Sequence, residues 1–353
     1  MKLKKLFAGV VAVAMMATMA MPSFAATGAS SQAQTPANGA VSLKKTYSLV
    51  GVGNSPAETF SFTAEYLGGE KGATDPGKVP VIGDAAYLAG GAATQNNTKD
   101  ITVDFSSVNY RTVGIYNYKI TETNKHTAGV TYAPAIGMKV TVGNASDNDN
   151  DTTVKVKSVS FWTLKEDGKT FDEKINGDDA FENTYTANTL TMTKTVKGDM
   201  GDKENDYFTY TLKLTGATGV TYPESYEVKG GTKADNPKTV TVKAGEEATY
   251  TFKLKHGDSI YIENLPKDIT WSVEETPAEG YTAYTEYGML NKTQGTSYNG
   301  TTNGQEITAA FTNVKDGEID TGVILDNAPY ILMLAVVAGG AMTLVIKKRR
   351  EEE

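Results

Sequence analysis

Short segments in which apolar and polar residues alternate make up most of this sequence. Examples are "ETFSFTAEYL", "DITVDFSSV", "YNYKITE", "DYFTYTLKL" and "ATYTFKLK", which are rich in Val, Thr, Tyr and Phe. Strict alternation indicates strands with one buried face, and the Gly, Pro, Asn and Asp residues between the segments indicate turns. The close spacing of these segments predicts an all-β fold built from immunoglobulin-like β-sandwiches.

Both ends of the chain depart from this pattern. Residues 1–25 combine a basic start, an apolar run and "PSFAA", which is typical of a secretory signal peptide. Residues 26–40 are small and polar and indicate a flexible leader. Residues 328–346 form an uncharged apolar run of 19 residues followed by "KKRR", long enough for a transmembrane helix with a cytoplasmic basic tail. We therefore expect an exported protein that is held at the membrane by its C-terminus.

The composition between these ends restricts the partners and the source of stability. Residues 26–321 carry 27 basic and 38 acidic side chains, a net charge of −11, which argues against nucleic acid as a partner. The chain has no cysteine, so disulfides cannot stabilise it outside the cell. His126 and His256 stand alone, and "DNDND" (Asp147–Asp151) lacks the glycine and the final glutamate of a calcium loop. The sequence thus predicts neither a metal site nor a cofactor.

The two halves of the chain repeat the same order of segments. The first half opens with "VSLKKTYSLVG", passes through "YNYKITET" and closes with "AFENTY". The second opens with "LTMTKTVKG", passes through "ITWSVEET" and closes with "AFTNVK". We interpret this as an internal duplication with domains at 41–187 and 188–317, the first enlarged by a Gly/Ala-rich insert at about 67–99. The length between the two ends suits two domains.

Each half places three polar residues on the apolar side of its strands. Alternation assigns a lysine to the first strand, a glutamate to a middle strand and an asparagine to the last strand. Alternation also selects Lys45 over Lys44 and Glu275 over Glu274. The residues are Lys45, Glu122 and Asn183 in the first half, and Lys194, Glu275 and Asn313 in the second. For any one of them an ordinary ion pair at a half-exposed strand end is the alternative, but two parallel sets of three favour a chemical role, because buried charges rarely repay their desolvation.

The chemistry of the three side chains suggests what that role is. Burial lowers the pKa of a lysine and raises that of a glutamate, so amine and acid can both be neutral at pH 7. A neutral amine is a nucleophile, and a protonated glutamate could polarise the asparagine carbonyl and transfer protons as ammonia leaves. The expected product is a Lys–Asn isopeptide bond that joins the first strand of each domain to the last. Such a bond would replace the missing disulfides.

With these motifs the sequence resembles the sortase-assembled backbone pilins of Gram-positive bacteria, which are built from streptococcal-type (T-antigen-type) isopeptide-linkage domains. Such pilins carry a lysine in the first strand, a Tyr-x-(Ile/Val)-x-Glu segment and a final Phe-x-Asn; here "YKITE" and "WSVEE" match, with Trp271 replacing the tyrosine. The resemblance covers nearly the whole chain. It implies a structural shaft subunit of a covalently polymerised pilus. Glu122 and Glu275 would act once, on their own domain, so the chain is not predicted to be an enzyme.

The resemblance also implies a cell-wall sorting signal at 318–353. "EIDTG" (Glu318–Gly322) stands where the family has Leu-Pro-x-Thr-Gly, and only Thr321 and Gly322 match. A pilin-type sortase is then expected to cleave between Thr321 and Gly322 and to transfer the acyl group to a lysine of an identical subunit. By resemblance the acceptor lies shortly before the last strand of the first domain. The candidates are Lys174 first, then Lys169 and Lys165.

The implied location is the surface of a Gram-positive cell, with the precursor transiently bound to the membrane and the product anchored to the cell wall. The expected partners are the sortase, identical subunits, tip or basal pilins and peptidoglycan. Two alternatives with the same domains stay open, namely a wall-anchored adhesin and an accessory or basal pilin. A glycosidase is disfavoured, because each acid is matched with a lysine and an asparagine rather than with a second carboxylate.

Overall fold

The computed structural model describes residues 40–93, 97–146, 153–175 and 180–317. The predicted signal peptide, nearly all of the leader, the "DNDND" segment, the "EIDTG" segment and the apolar run at 328–346 lie outside these ranges. Within them, no helix is both long enough and apolar enough to cross a membrane.

Strands and the turns between them account for nearly all of the described residues of the first half, which include a 3-10 helix at Gly91–Ala93. The strands are β1 (Ala40–Gly51), β2 (Glu58–Phe60), β3 (Phe62–Glu70), β4 (Val81–Ile82), β5 (Ala85–Tyr87), β6 (Thr98–Asp104), β7 (Gly114–Glu122), β8 (Val130–Thr131), β9 (Ile136–Asn144), β10 (Val154–Leu164) and β11 (Phe171–Ile175).

The second half is built in the same way and shares its first strand, β12, with the end of the first half. The strands are β12 (Phe181–Lys197), β13 (Phe208–Thr215), β14 (Tyr226–Gly230), β15 (Thr239–Val240), β16 (Glu247–Leu254), β17 (Ser259–Pro266), β18 (Thr270–Glu275), β19 (Thr282–Tyr287), β20 (Lys292–Gln294), β21 (Ser297–Thr301) and β22 (Glu306–Val314). The prediction of an all-β fold is therefore confirmed for the described residues.

One large sheet runs through both halves, and a smaller sheet belongs to each half. The large sheet follows the order β15-β14-β17-β12-β1-β6-β4, with β8, β19, β20 and β22 attached to it. The first half adds the sheet β11-β10-β9-β7-β3 and the two-stranded sheet β2-β5, and the second adds β16-β13-β18-β21. Each half encloses its own apolar core, the first rich in tyrosine and the second rich in leucine and isoleucine.

Strand β12 joins the two halves without a loop. Its first part pairs in parallel with β1, from Phe181 to Ala187, and its second part pairs in parallel with β22, from Thr189 to Lys197. The first and last strands of each half are therefore direct neighbours. A load applied along the chain would enter the second half through the same strand in which it leaves the first.

The junction between the halves is fastened by further hydrogen bonds. The backbone of Thr221 accepts from Ala128 N at 2.9 Å and donates to His126 O at 2.7 Å. The end of β1 comes so close to β12 that a Cβ on Gly51 would lie 2.2 Å from the Ala187 carbonyl oxygen. Gly51 also has φ of +87°, a value that favours glycine, so both space and backbone conformation require this residue here.

Candidate cross-linking sites

The first site lies where β1, β7 and β12 meet in the core of the first half. In the parallel pair of β1 and β12, Lys45 is level with Phe181 and Tyr47 is level with Asn183. The lysine and the asparagine thus occupy neighbouring strands, on the same face, two positions apart. Glu122 ends β7 in the opposing sheet. Period-two alternation turns all three side chains inward, while Lys44 next to Lys45 is only half-buried.

The carboxylate of Glu122 stands between the amine and the amide. Lys45 Nζ lies 3.2 Å from Glu122 Oε1, and Asn183 Nδ2 donates to the same oxygen at 2.9 Å. The backbone N–H of Ala133 donates to Glu122 Oε2 at 3.2 Å and to Asn183 Oδ1 at 2.8 Å. From the sequence we expected the glutamate to hydrogen-bond the amide carbonyl. The carbonyl instead accepts from Ala133, which turns the amide nitrogen towards the carboxylate.

The second site repeats this placement in the second half. Lys194 in β12 is level with Phe311 in β22, and Val196 is level with Asn313, which is the same two-position offset in a parallel pair. Glu275 again ends a strand of the opposing sheet, β18. The two sites therefore have the same register although their sequences differ around them.

The second carboxylate has a different set of donors. Lys194 Nζ lies 3.0 Å from Glu275 Oε1 and 2.9 Å from Oε2, and Asn313 Nδ2 donates to Oε1. The hydroxyl of Tyr210 donates to Oε2 at 3.0 Å. Asn313 Oδ1 is buried and has no hydrogen-bond partner among the described residues. Asn313 also lines an open cleft of about 420 Å³ together with Tyr281, Thr282, Gln294 and Thr296.

All six side chains are removed from water. The exposed fraction is 0% for Lys45 and 1% for Lys194, 5% and 0% for the two glutamates, and 1% for both asparagines. Phenylalanine rings cover the amines, since Lys45 Nζ is 4.3 Å from the centre of Phe60 and Lys194 Nζ is 3.8 Å from the centre of Phe208. Each site is therefore shielded from solvent, so a charge there is costly and short-range electrostatics are strong.

This burial shifts the proton equilibrium of both lysines. Desolvation lowers the pKa of Lys45 to about 8, although the neighbouring Glu122 carboxylate acts in the opposite direction. Desolvation likewise lowers the pKa of Lys194 to about 8 against the opposing effect of Glu275. A lysine with such a pKa is partly neutral near physiological pH, and the neutral amine is the form that attacks a carbonyl.

The three candidate acceptor lysines do not join these clusters. Lys174 is half-buried in β11, level with Trp162, and Lys165 and Lys169 are exposed in the turn before β11. Thr321 and Gly322 lie outside the described residues. Across the described ranges, no group of three or more His, Cys, Asp or Glu side chains is arranged to hold a metal.

Two supporting groups were not predicted from the sequence. Ala133 acts through its backbone N–H, which leaves no trace in the sequence. Tyr210 stood in a recognised strand, "DYFTYTLKL", which aligns with "ETFSFTAEYL" so that Tyr210 matches Phe62; the structure places these two residues level with Glu275 and Glu122. The covering phenylalanines, Phe60 and Phe208, occupy matching places in the same two segments and were also detectable as a repeat.

Known proteins match both halves of the chain. Residues 41–186 match the family described as the Spy0128-like isopeptide containing domain, and residues 188–315 match one described as a domain of unknown function. A pilin of Streptococcus pyogenes serotype M1 is 32% identical over 261 residues, which is 72% of this chain and 73% of that protein. The pilus tip adhesin Cpa of Streptococcus pyogenes is 31% identical over 137 residues, 39% of this chain and 18% of the adhesin.

A solved structure is also similar. The crystal structure of the major pilin from Streptococcus pyogenes covers 80% of this chain and 100% of its own, with 25% identity and a TM-score of 0.46. The sequence match to the serotype M1 pilin, which extends over more than two thirds of both proteins, decides the assignment: the chain belongs to the family of streptococcal pilins.

Proposed function

We propose that this pilin is the shaft subunit of a covalently polymerised pilus and that each of its halves is welded by a Lys–Asn isopeptide bond. The observation that carries the proposal is the twofold occurrence of a buried lysine and asparagine in one register on the first and last strands of a half, with a buried glutamate at the end of a strand in the opposing sheet. We take the halves to be two tandem immunoglobulin-like sandwiches, 41–187 and 188–317. The bonds would link Lys45 to Asn183 and Lys194 to Asn313.

The positions of the atoms suggest a route for the reaction. The neutral form of the lysine amine attacks the asparagine Cγ. The glutamate carboxylate takes a proton from Nζ and passes it to the amide nitrogen, the Cγ–Nδ2 bond breaks and ammonia leaves, so the carboxylate is regenerated. The new Nζ–Cγ bond replaces the amide bond. Because Oε1 contacts both nitrogens in each site, a single oxygen can serve both proton transfers.

The proposed bonds would also set the path of mechanical load. Tension entering at β1 would cross to β12 at Asn183, follow eleven residues of continuous strand to Lys194 and cross to β22 at Asn313. That segment is about 36 Å long when extended as a strand. The sheets on either side of this path would carry little load. Such a path suits a subunit that is pulled while it anchors a cell.

The same proposal assigns assembly to the C-terminus. A pilin-type sortase would cleave between Thr321 and Gly322 and transfer Thr321 to a lysine of the next subunit, with Lys174 as the first choice of acceptor and Lys169 and Lys165 as the others. Export by the signal peptide and retention by the apolar run would deliver the precursor to the sortase, and the finished fibre would be fixed to peptidoglycan.

One observation favours a second candidate, an accessory or adhesive pilin. The match to the tip adhesin Cpa extends over 137 residues, so domains of this kind also occur outside the shaft. Wall extracts resolved in hot detergent distinguish the two. A ladder of covalent polymers containing this chain supports the shaft, whereas a single anchored monomer band supports the accessory role.

Intact mass tests the cross-links directly. The chain from residue 26 to 321 should be lighter than its sequence by two ammonias, and Glu122→Gln and Glu275→Gln should each restore one. These variants keep the size of the side chain and remove the group that moves protons. Peptide mapping then identifies which lysine and asparagine are joined. A full calculated mass for the unmodified chain would refute the cross-links.

A further inference from the structure

The two sites hold the glutamate carboxylate in its orientation with different hydrogen-bond donors. Oε1 of each glutamate must face both the amine and the amide, but the terminal torsion of a glutamate side chain is broad and does not hold the carboxylate plane by itself. In the first site the Ala133 N–H donates to Oε2 of Glu122 at 3.2 Å. In the second site Oε2 of Glu275 accepts from the Tyr210 hydroxyl at 3.0 Å and from Lys194 Nζ at 2.9 Å. In each site Oε2 therefore accepts a hydrogen bond from a group that takes no part in the proposed reaction.

We propose that the Tyr210 hydroxyl is a positioning group for the second cross-link, holding Glu275 so that its other oxygen bridges Lys194 and Asn313. The proposal rests on the cross-linking function and adds a residue to it. The residue level with Glu122 in the first site is Phe62, which has no hydroxyl, so a tyrosine at this position is not a general need of the fold.

The surroundings of Tyr210 leave its hydroxyl few other uses. The residue is fully buried, and its ring packs at 4.9 Å on Phe311, the residue that is level with Lys194. Burial and the Glu275 carboxylate both raise the pKa of Tyr210, so the hydroxyl keeps its proton and acts as the donor. The ring thus has a packing role and the hydroxyl a separate polar role. Tyr210→Phe removes the hydroxyl and keeps the ring, so this single substitution tests the polar role alone.

The second site needs this donor more than the first. Ala133 N–H also donates to Asn183 Oδ1 and so aligns the first amide together with the first carboxylate. Asn313 Oδ1 receives no such bond among the described residues. Its orientation depends on the hydrogen bond from Nδ2 to Glu275, and hence on a carboxylate that does not turn.

The test compares Tyr210→Phe with the unmodified chain, and uses Tyr207→Phe as a matched control whose hydroxyl contacts Thr232 outside the site. The protein is expressed for a short time and extracted into denaturant, so that chains without cross-links are obtained. These chains are refolded by dilution, and mass spectrometry follows the formation of each cross-link separately. We expect Tyr210→Phe to slow the second cross-link by about tenfold or more, as the loss of one hydrogen bond to a charged group predicts. The first cross-link and the Tyr207→Phe chain should keep their normal rates.

The alternatives give different results. A purely structural role predicts normal cross-linking in Tyr210→Phe, because phenylalanine keeps the ring, and this result would overturn the proposal. So would faster second cross-linking, the result expected if the hydroxyl merely stabilised the ion pair. Equal slowing of both cross-links would indicate a general folding defect and would also overturn it. An unmodified chain without the second ammonia loss would refute the cross-link itself, which separates that failure from a failure of the tyrosine role alone.

Discussion

The first and second sites agree in register and differ in the groups around it. In both, a lysine and an asparagine stand two positions apart on parallel neighbouring strands, and a strand-ending glutamate reaches them from the opposing sheet. The first site fixes its carboxylate with a backbone N–H from the loop before β9, and the second with a side chain from β13. The placement of lysine, asparagine and glutamate is common to both sites because the chemistry requires it. The donor that holds the carboxylate differs because each local fold offers a different group.

This difference predicts how the sites respond to change. A backbone donor survives most substitutions at its own position, since every residue except proline keeps the N–H. A side-chain donor is lost with one substitution. The first site should therefore tolerate sequence variation around it better than the second, although both use the same three reacting residues.

The largest effect is expected from removing the amide. Asn183→Ala and Asn313→Ala each abolish one cross-link and leave the Lys–Glu pair in place. Lys45 and Asn183 are 138 positions apart, and Lys194 and Asn313 are 119 apart. Single-molecule pulling should then release roughly 450–500 Å of chain from the first half or 390–430 Å from the second, where the unmodified chain releases neither.

The same variants should lose equal stability despite their unequal loops. In the chain-entropy model both closures contribute about 5 kcal/mol, because the dependence on loop length is logarithmic. Denaturant titration of each variant measures the loss. A much larger loss in one half would show that its asparagine has a packing role beyond the bond.

The pH of refolding should act on both sites alike and is expected to be the next largest effect. Both lysines have a pKa of about 8 in the folded, unlinked chain, lowered by burial. The neutral fraction falls as pH decreases below this value, so cross-linking at pH 6 should be slower than at pH 8 by about fiftyfold. Above pH 8 the rate should level off.

Mass spectrometry of samples quenched during refolding gives the two rates in one experiment. A lysine in the unfolded chain has its ordinary pKa of 10.5 and is protonated throughout this range, so the effect arises only after folding has buried the amine. A rate that is equal at pH 6 and 8 would contradict the requirement for a neutral amine.

The alternation of the sequence was sufficient to predict the all-β fold and the inward position of the lysines. In β1 a period of two leaves only one choice between Lys44 and Lys45, and the structure buries Lys45. The duplication then made each half a check on the other. The bond between lysine and asparagine stays a prediction, as do the domain limits.

The parts that could not be predicted depend on tertiary placement. The Ala133 N–H reaches two side chains because the loop before β9 folds over the site, and no residue type marks such a contact. The contact with Ala133 sets the orientation of the Asn183 side-chain amide. The expected hydrogen bond from Glu122 to the amide carbonyl is therefore replaced by one from Asn183 Nδ2 to the Glu122 carboxylate. The sequence also did not predict that the repeat boundary lies within one continuous strand, because the sequence pattern of β12 suggests two short strands.

Removing the backbone donor should slow the first cross-link only. Ala133→Pro eliminates the N–H that contacts Glu122 and Asn183, and we expect the first cross-link to slow by about tenfold. Ala133→Ser keeps the N–H and serves as the control. The second cross-link in the same molecule reports whether folding is intact. Slowing in Ala133→Ser, or equal slowing of both cross-links in Ala133→Pro, would contradict a role for this donor.

The smallest effect is the most informative about the comparison. Phe62→Tyr places a hydroxyl in the first site at the register position that Tyr210 occupies in the second. With Ala133 intact, Oε2 of Glu122 already has a donor, so the first cross-link should change by less than about threefold. Combined with Ala133→Pro, the same substitution should recover part of the lost rate, because the hydroxyl can then tie the oxygen that the backbone has released. A faster first cross-link in the double variant than in Ala133→Pro, with little change in Phe62→Tyr alone, would establish that the two donors are interchangeable. No recovery in the double variant would mean that the first site depends on the hydrogen bond from Ala133 N–H to the amide carbonyl of Asn183. A hydroxyl at position 62 cannot replace that bond.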